Sequence, residues 1–273
     1  MTARHKGVAE LWLLNVFGNA ALLGAVYFWL LLPDAHGWQV AGSGLLALVV
    51  IFFGLWLRAG SFAYFRVGEF RENAAVWRAF HHALRHLIAL ALWAIALAAV
   101  EWCLVSLRVY APQFGVWFWQ KSPAFLRFGS PRQVFHAADW LLLFLIWVLL
   151  PIAWLPVAST VAATGLKPKR MMHSLRLLKR PAYRLWFFAL LLIGVYLPYK
   201  LVWWIPDLST LTKQAWSMSA RFALAYILLI TAWVALLLVV GSRVEKEDPE
   251  PISPGAAPSG SLAPRASDSS ASG

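Results

Sequence analysis

Residues Phe222–Gly241, with the sequence FALAYILLITAWVALLLVVG, decide the fold of this chain. The stretch has 20 residues and contains no charged side chain. A helix rises 1.5 Å per residue, so a run of this length crosses the roughly 30 Å hydrocarbon core of a bilayer. We therefore predict that it forms a transmembrane helix.

Five further apolar runs lie upstream, each bounded by charged residues. They predict an all-α, polytopic integral membrane protein with six transmembrane helices, which could pair as three hairpins. The predicted spans are 11–32, 40–57, 86–108, 140–164, 185–205 and 222–241, so residues 1–241 form one transmembrane domain. Prolines inside the fourth and fifth spans predict kinks in those helices.

The composition excludes several protein classes. Apolar residues make up 61% of the chain and charged residues only 13%, which is unlike a soluble domain, a coiled coil or a disordered chain. The net charge of +12 accompanies no nucleic-acid recognition motif, so we expect no nucleic-acid partner. The single cysteine, Cys103, cannot form an intramolecular disulfide.

The basic residues predict how the chain is oriented in the membrane. If the N-terminus is cytoplasmic, 17 of the 24 Lys and Arg residues lie on the cytoplasmic side. This excess predicts that both termini are cytoplasmic, with a disordered cytoplasmic tail over 242–273. The first apolar run is too long for a cleaved signal and is expected to be a retained span. Abundant Ala, Trp and Arg favour a bacterial inner membrane.

Two basic segments resemble each other at an offset of 99 residues. Residues 77–85 precede span three and residues 176–184 precede span five, which suggests an internal repeat of spans three–four and five–six. Chance similarity between two apolar segments with basic flanks is the alternative interpretation. The offset aligns Glu101 with Lys200 and Arg108 with Asp207, with opposite charges each time.

These alignments predict ion pairs inside the membrane. Glu101 and Lys200 lie at matching depth, about 24 Å from the basic flanks, so we expect them to pair between spans three and five. Two outer pairs are also expected, Arg108 with Asp207 and Asp139 with Arg221. The pair of Glu101 and Lys200 is either a packing device or the site of a transporter.

Three other patterns are candidate sites. Asn15 and Asn19 share one face of span one, where they either bond to another helix or form the polar lining of a cavity. His82 and His86 are four residues apart, but no carboxylate is spaced to complete a metal site, so we expect no metal. Six arginines form basic stripes that suit lipid head groups: Arg71, Arg78, Arg85, Arg176, Arg180 and Arg184.

The sequence contains no catalytic or cofactor-binding motif that we recognise, so we expect no enzyme activity and no cofactor. We expect a non-enzymatic membrane component that binds lipid or a partner protein, such as another membrane protein or a second copy of this chain. The alternative is a small permease or channel subunit with its site at the level of Glu101 and Lys200. Solvent access to these two residues would distinguish the two functions.

Overall fold

The fold is taken from a computed structural model, which describes residues 3–32, 36–123, 130–207 and 209–245. The described chain is helical and has no strand. Six of its helices are long and apolar enough to cross a membrane, which confirms the prediction of six spans. These spans are His5–Leu30, Gly37–Arg66, Leu87–Val109, Arg132–Thr164, Pro181–Trp203 and Leu211–Gly241.

Twelve α-helices and three short turns of other helix types make up the described chain. The α-helices are α1 (Ala3–Leu30), α2 (Gly37–Arg66), α3 (Gly68–Glu72), α4 (Val76–Leu84), α5 (Leu87–Val109), α6 (Ala111–Lys121), α7 (Pro131–Phe144), α8 (Leu150–Thr164), α9 (Pro168–Ser174), α10 (Pro181–Leu191), α11 (Leu197–Trp203) and α12 (Leu211–Glu245). A π-helical turn joins α7 to α8, a 3₁₀ turn precedes α10, and a second π-helical turn joins α10 to α11.

Several spans are longer than predicted. The second was expected to end before Arg58, yet α2 continues through Arg58 to Arg66. The fourth span includes Asp139, which was expected to precede it. A charged side chain does not end a helix when a partner satisfies it, and both residues have such partners. The last helix runs to Glu245, and the rest of the predicted tail lies outside the described residues.

Prolines explain the irregular turns in the fourth and fifth spans. Each π-helical turn ends two residues before a proline, Pro151 in one span and Pro198 in the other. Proline lacks an N–H and crowds the carbonyl four residues back, which the wider turn relieves. At Pro156 the freed carbonyl of Ile152 accepts a hydrogen bond of 2.8 Å from the Tyr183 hydroxyl. This bond ties the fourth span to the fifth.

The buried core lies at one end of the bundle, where α2 packs against α4 and α8. The last ten residues of α2, 57–66, are buried except for Arg58, as are the last ten of α8. Gly7 near the start of α1 approaches Tyr64, and Gly241 near the end of α12 approaches Phe65. Both ends of the described chain therefore lie at this end of the bundle. We call it the basic end and define it as residues 57–86 and 155–184.

Candidate functional site

A groove lies between the third, fourth, fifth and sixth spans. It has a volume of about 360 Å³ and is open to the surroundings of the bundle. Its walls are apolar side chains, including Leu97, Trp147, Trp154 and Trp233. Glu101 is the one charged residue among the described residues that line it. The groove is thus an apolar cleft that carries a single carboxylate.

The two π-helical turns border this groove. Trp147 belongs to the first turn and Gly194 to the second. A Cβ atom at Gly194 would lie 2.5 Å from the Cβ of Ala232, so glycine allows the fifth span to approach α12 closely here. π-helical turns often occur at functional sites. Two of them line the same groove as Glu101, so this groove is the candidate functional site.

Glu101 and Lys200 do not form the ion pair that the sequence suggested. No described residue forms an ion pair with Glu101, and Lys200 does not line the groove. The Lys200 ammonium lies 5.6 Å from the ring centre of Tyr196 instead. The physical reason is the packing of the helices, because α5 packs against α2 and α8 whereas the fifth span packs against α12. The groove lies between them.

Arg108 has a different partner from the one predicted. Its guanidinium makes two hydrogen bonds to the carboxylate of Asp139, at 2.7 and 3.2 Å, rather than pairing with Asp207. The chain turns back through α6 into α7, which brings Asp139 beside the end of α5. Arg221 bonds to the backbone carbonyls of Ser217 and Leu201 and is not paired with Asp139.

A buried polar network joins α1 to α2. Asn15 is fully buried and donates hydrogen bonds to Ser61 Oγ and to the Leu11 carbonyl, both at 3.0 Å. Asn19 donates to the Asn15 carbonyl and accepts a 2.8 Å hydrogen bond from Arg58 Nη2. The polar face predicted for span one is therefore used between helices.

Arg58 was not predicted as a site residue. It follows the apolar run 40–57 directly, and a charged residue in that position predicts the end of a span. Its guanidinium lies 4.8 Å from the ring centre of Trp233, so it also contacts α12. The Arg58 Nη1 atom and the Asn15 Oδ1 atom are buried without a hydrogen-bond partner in the described part of the chain. No signal in the sequence distinguishes Arg58 from an arginine at the end of a span.

The basic end presents a strongly cationic surface. Within segments 68–86 and 165–184, two acids are exposed, Glu69 and Glu72. Seven basic side chains are exposed in the same segments: Arg78, Arg85, Lys167, Lys169, Arg176, Lys179 and Arg184. Arg71 and Arg180 are partly buried and have partners of their own. A weak ion pair, 3.8 Å between Arg78 and Glu69, offsets part of this charge.

Two histidines, His82 and His86, lie where segment 68–86 contacts the end of α8 and the start of segment 165–184. His82 Nε2 lies 3.0 Å from the carbonyl of Ala163, which ties α4 to the end of α8. Burial lowers the pKa of His86, and electrostatic interactions with His82, Lys167 and Arg85 lower it further. The described residues contain no cluster of three metal-ligating side chains around these histidines or elsewhere.

A second cavity lies between α1 and α2 and has a volume of about 570 Å³. It is lined by apolar residues such as Phe17, Leu46 and Phe53 and, among the described residues, by no charged side chain. It resembles the groove in apolar character but is larger and lacks a carboxylate. The two cavities therefore differ in volume and in charge.

No known protein family, no curated protein and no solved structure matches this chain.

Proposed function

We propose that the protein is a non-enzymatic component of a bacterial inner membrane that binds anionic lipid head groups through its basic end. The observation that carries this proposal is the excess of seven exposed bases over two exposed acids in segments 68–86 and 165–184. In this proposal the basic end and both termini are cytoplasmic. That side of a membrane carries anionic head groups and attracts Lys and Arg.

The energetics favour lipid as the ligand of this surface. Each Lys or Arg near an anionic leaflet contributes about 1 kcal/mol, so several bases on one surface bind strongly. The two segments of the suggested internal repeat, 77–85 and 176–184, supply Arg85, Arg176 and Arg184 to this surface. We further propose that spans three–four and five–six are an internal repeat and that the six spans pair as three hairpins.

The packing beneath the surface favours a fixed arrangement of these charges. Phe70, Ala79, Ala83 and Leu177 are buried in the core under the basic residues. Their burial holds α3, α4 and the 3₁₀ turn against α2 and α8. A rigid backbone need not be ordered when these side chains bind phosphate, and the planar fork of a guanidinium group suits phosphate oxygens.

The test is retention of anionic lipid by the purified protein, measured by native mass spectrometry after reconstitution in phosphatidylcholine with phosphatidylglycerol. The triple variant Arg85→Gln, Arg176→Gln, Arg184→Gln is expected to retain fewer phosphatidylglycerol molecules. A matched triple variant removes three exposed bases away from the basic end: Lys121→Gln, Arg132→Gln and Lys213→Gln. Equal losses in the two variants would show that the basic end has no special role.

A small permease or channel subunit is the second candidate, because Glu101 lines a groove among the spans. A transport path must bring water to this carboxylate. The test uses Glu101→Cys in a Cys103→Ser background, so that residue 101 carries the one thiol of the chain. Labelling by a membrane-impermeant maleimide in proteoliposomes supports a transport path. Labelling only by a membrane-permeant maleimide excludes one.

A further inference from the structure

The carboxylate of Glu101 has no cation to balance it in the described chain. It lies in a membrane-spanning helix, eight residues before α5 ends at Val109, and thus about 12 Å below that end. A charged group facing hydrocarbon is strongly destabilised unless it is paired. A cation bound from outside the described residues would supply the missing pair.

The cations of the neighbouring spans are already engaged. Arg108 is held by Asp139, and Lys200 lies over Tyr196 and outside the groove. Arg58 bonds to Asn19 and stacks on Trp233, and it is not among the residues that line the groove. None of these three side chains pairs with Glu101.

The surroundings of the carboxylate define the chemistry of a ligand. Aromatic and aliphatic side chains form the walls, and the volume of about 360 Å³ lies within the range of small-molecule pockets. Indole rings such as those of Trp147 and Trp154 attract a cation as well as an apolar body. A molecule that is both apolar and positively charged matches the walls and the carboxylate together.

We propose that this groove binds a lipophilic organic cation, which enters from the hydrocarbon phase and pairs with Glu101. An anionic amphiphile would be repelled by the carboxylate, and a neutral chain would leave it unpaired. The ammonium of a phospholipid head group resides at the interface, whereas Glu101 lies about 12 Å below the end of its helix. This site is independent of the basic end and does not rest on the binding of anionic head groups.

The test measures equilibrium binding of radiolabelled tetraphenylphosphonium to the full-length protein in phosphatidylcholine nanodiscs. Wild type is expected to bind it saturably, and Glu101→Gln is expected to weaken binding at least about tenfold through loss of the ion pair. Glu101→Asp keeps the charge and should keep most of the affinity. Asp207→Asn is the matched control, since it removes an exposed acid that does not line the groove.

Two further measurements separate charge from shape. Tetraphenylborate has the same shape and the opposite charge, and it should show no saturable binding that depends on Glu101. Leu97→Trp adds bulk to the groove wall one turn from Glu101 and should weaken phosphonium binding without a change in charge. Thermal unfolding of each variant establishes that it is folded, and Glu101→Gln preserves the size of the side chain.

The outcomes are decisive for the proposal. Equal phosphonium affinity in wild type and Glu101→Gln would overturn it, as would equal binding of tetraphenylborate. Displacement of the phosphonium by added phosphatidylethanolamine would assign the groove to a lipid head group instead and would also overturn it. Binding of anionic lipid at the basic end is expected to be unchanged in Glu101→Gln, so failure here leaves the proposed function standing.

Discussion

The two ends of α2 are packed very differently. Its last ten residues, 57–66, lie in the core of the basic end, where α4, α8, α1 and α12 all contact the helix. Its first half, in contrast, exposes large apolar side chains such as Trp38, Leu45 and Leu48. The same contrast holds for α8 and α12, whose buried residues are concentrated toward the basic end. The bundle is thus tightly packed at one end and loosely packed along the rest of its spans.

This difference in packing follows from the two solvents that surround a membrane protein, which are lipid along the spans and water beyond them. Lipid chains are as apolar as leucine, so apolar side chains gain little from leaving lipid for another helix. Water drives apolar side chains together, and α2 with 30 residues is about 45 Å long, which exceeds the hydrocarbon thickness. We attribute the core at the basic end to helix segments that project beyond the hydrocarbon core. The loosely packed spans leave room for the groove beside Glu101.

The largest effect is expected from adding one methyl group to α2 in the core. A Cβ atom at Gly60 would lie 2.4 Å from the ring of Phe80, which is itself buried. Gly60→Ala should therefore force α4 away from α2 and lower the free energy of unfolding by about 2–3 kcal/mol. The measurement is unfolding of the purified protein in mixed micelles by titration with sodium dodecyl sulfate.

Gly44 supplies the matched control on the same helix. A Cβ atom added at this position would have no neighbouring atom within 4 Å, so Gly44→Ala meets only open space. Alanine favours a helix by up to about 1 kcal/mol over glycine, so the variant should be neutral or slightly more stable. If Gly60→Ala were as stable as Gly44→Ala, the two ends of α2 would not differ in packing.

A smaller effect is expected from the polar network at the basic end. Asn19→Leu removes the acceptor of a hydrogen bond from Arg58, whose Nη1 atom is already buried without a partner in the described chain. The loss should be about 2 kcal/mol, because a partly buried guanidinium loses its remaining side-chain acceptor. Adding Arg58→Met to Asn19→Leu should recover most of this loss, since an apolar side chain then fills the site.

Another hydrogen bond between α1 and α2 lies outside the core and tests whether the loosely packed end of α2 contributes less to stability. Trp29 Nε1 donates to Ser43 Oγ at 2.6 Å, and this bond is exposed. Ser43→Ala should cost at most about 0.5 kcal/mol, because water or lipid head groups can replace the lost acceptor. A cost equal to that of Asn19→Leu would contradict the proposed difference between the two regions.

The sequence predicted the fold well because hydrophobic length is a strong signal in membrane proteins. Six apolar runs became six long helices, and the prolines of the fourth and fifth spans coincide with π-helical turns. The boundaries were less accurate where a charged residue was taken as the end of a span, as at Arg58. A charge marks the membrane interface only when no neighbouring helix satisfies it, and this depends on tertiary packing.

The candidate site was predicted in part. The predicted ion pairs were the least accurate part of that prediction. Glu101 was identified because an acid inside a span is rare, and it does line a groove. Its pairing with Lys200 assumed that spans three and five are neighbours, which sequence cannot establish. Arg108 was correctly placed near the end of its span, but its partner Asp139 depends on the turn through α6. Depth along a helix is readable from sequence, whereas neighbours across helices are not.

The smallest expected effect is on how the stability of the basic end depends on pH. The pKa of His86 is lowered by burial, with further lowering from His82, Lys167 and Arg85. The unfolded chain therefore takes up a proton at a higher pH than the folded chain, so stability should fall as pH drops below about 6.5. His86→Gln should flatten this part of the profile, measured by thermal unfolding between pH 7.5 and 5. His136→Gln, at an exposed histidine on α7, is the matched control. If His86→Gln had the same profile as wild type, protonation of another group would cause the loss of stability at low pH.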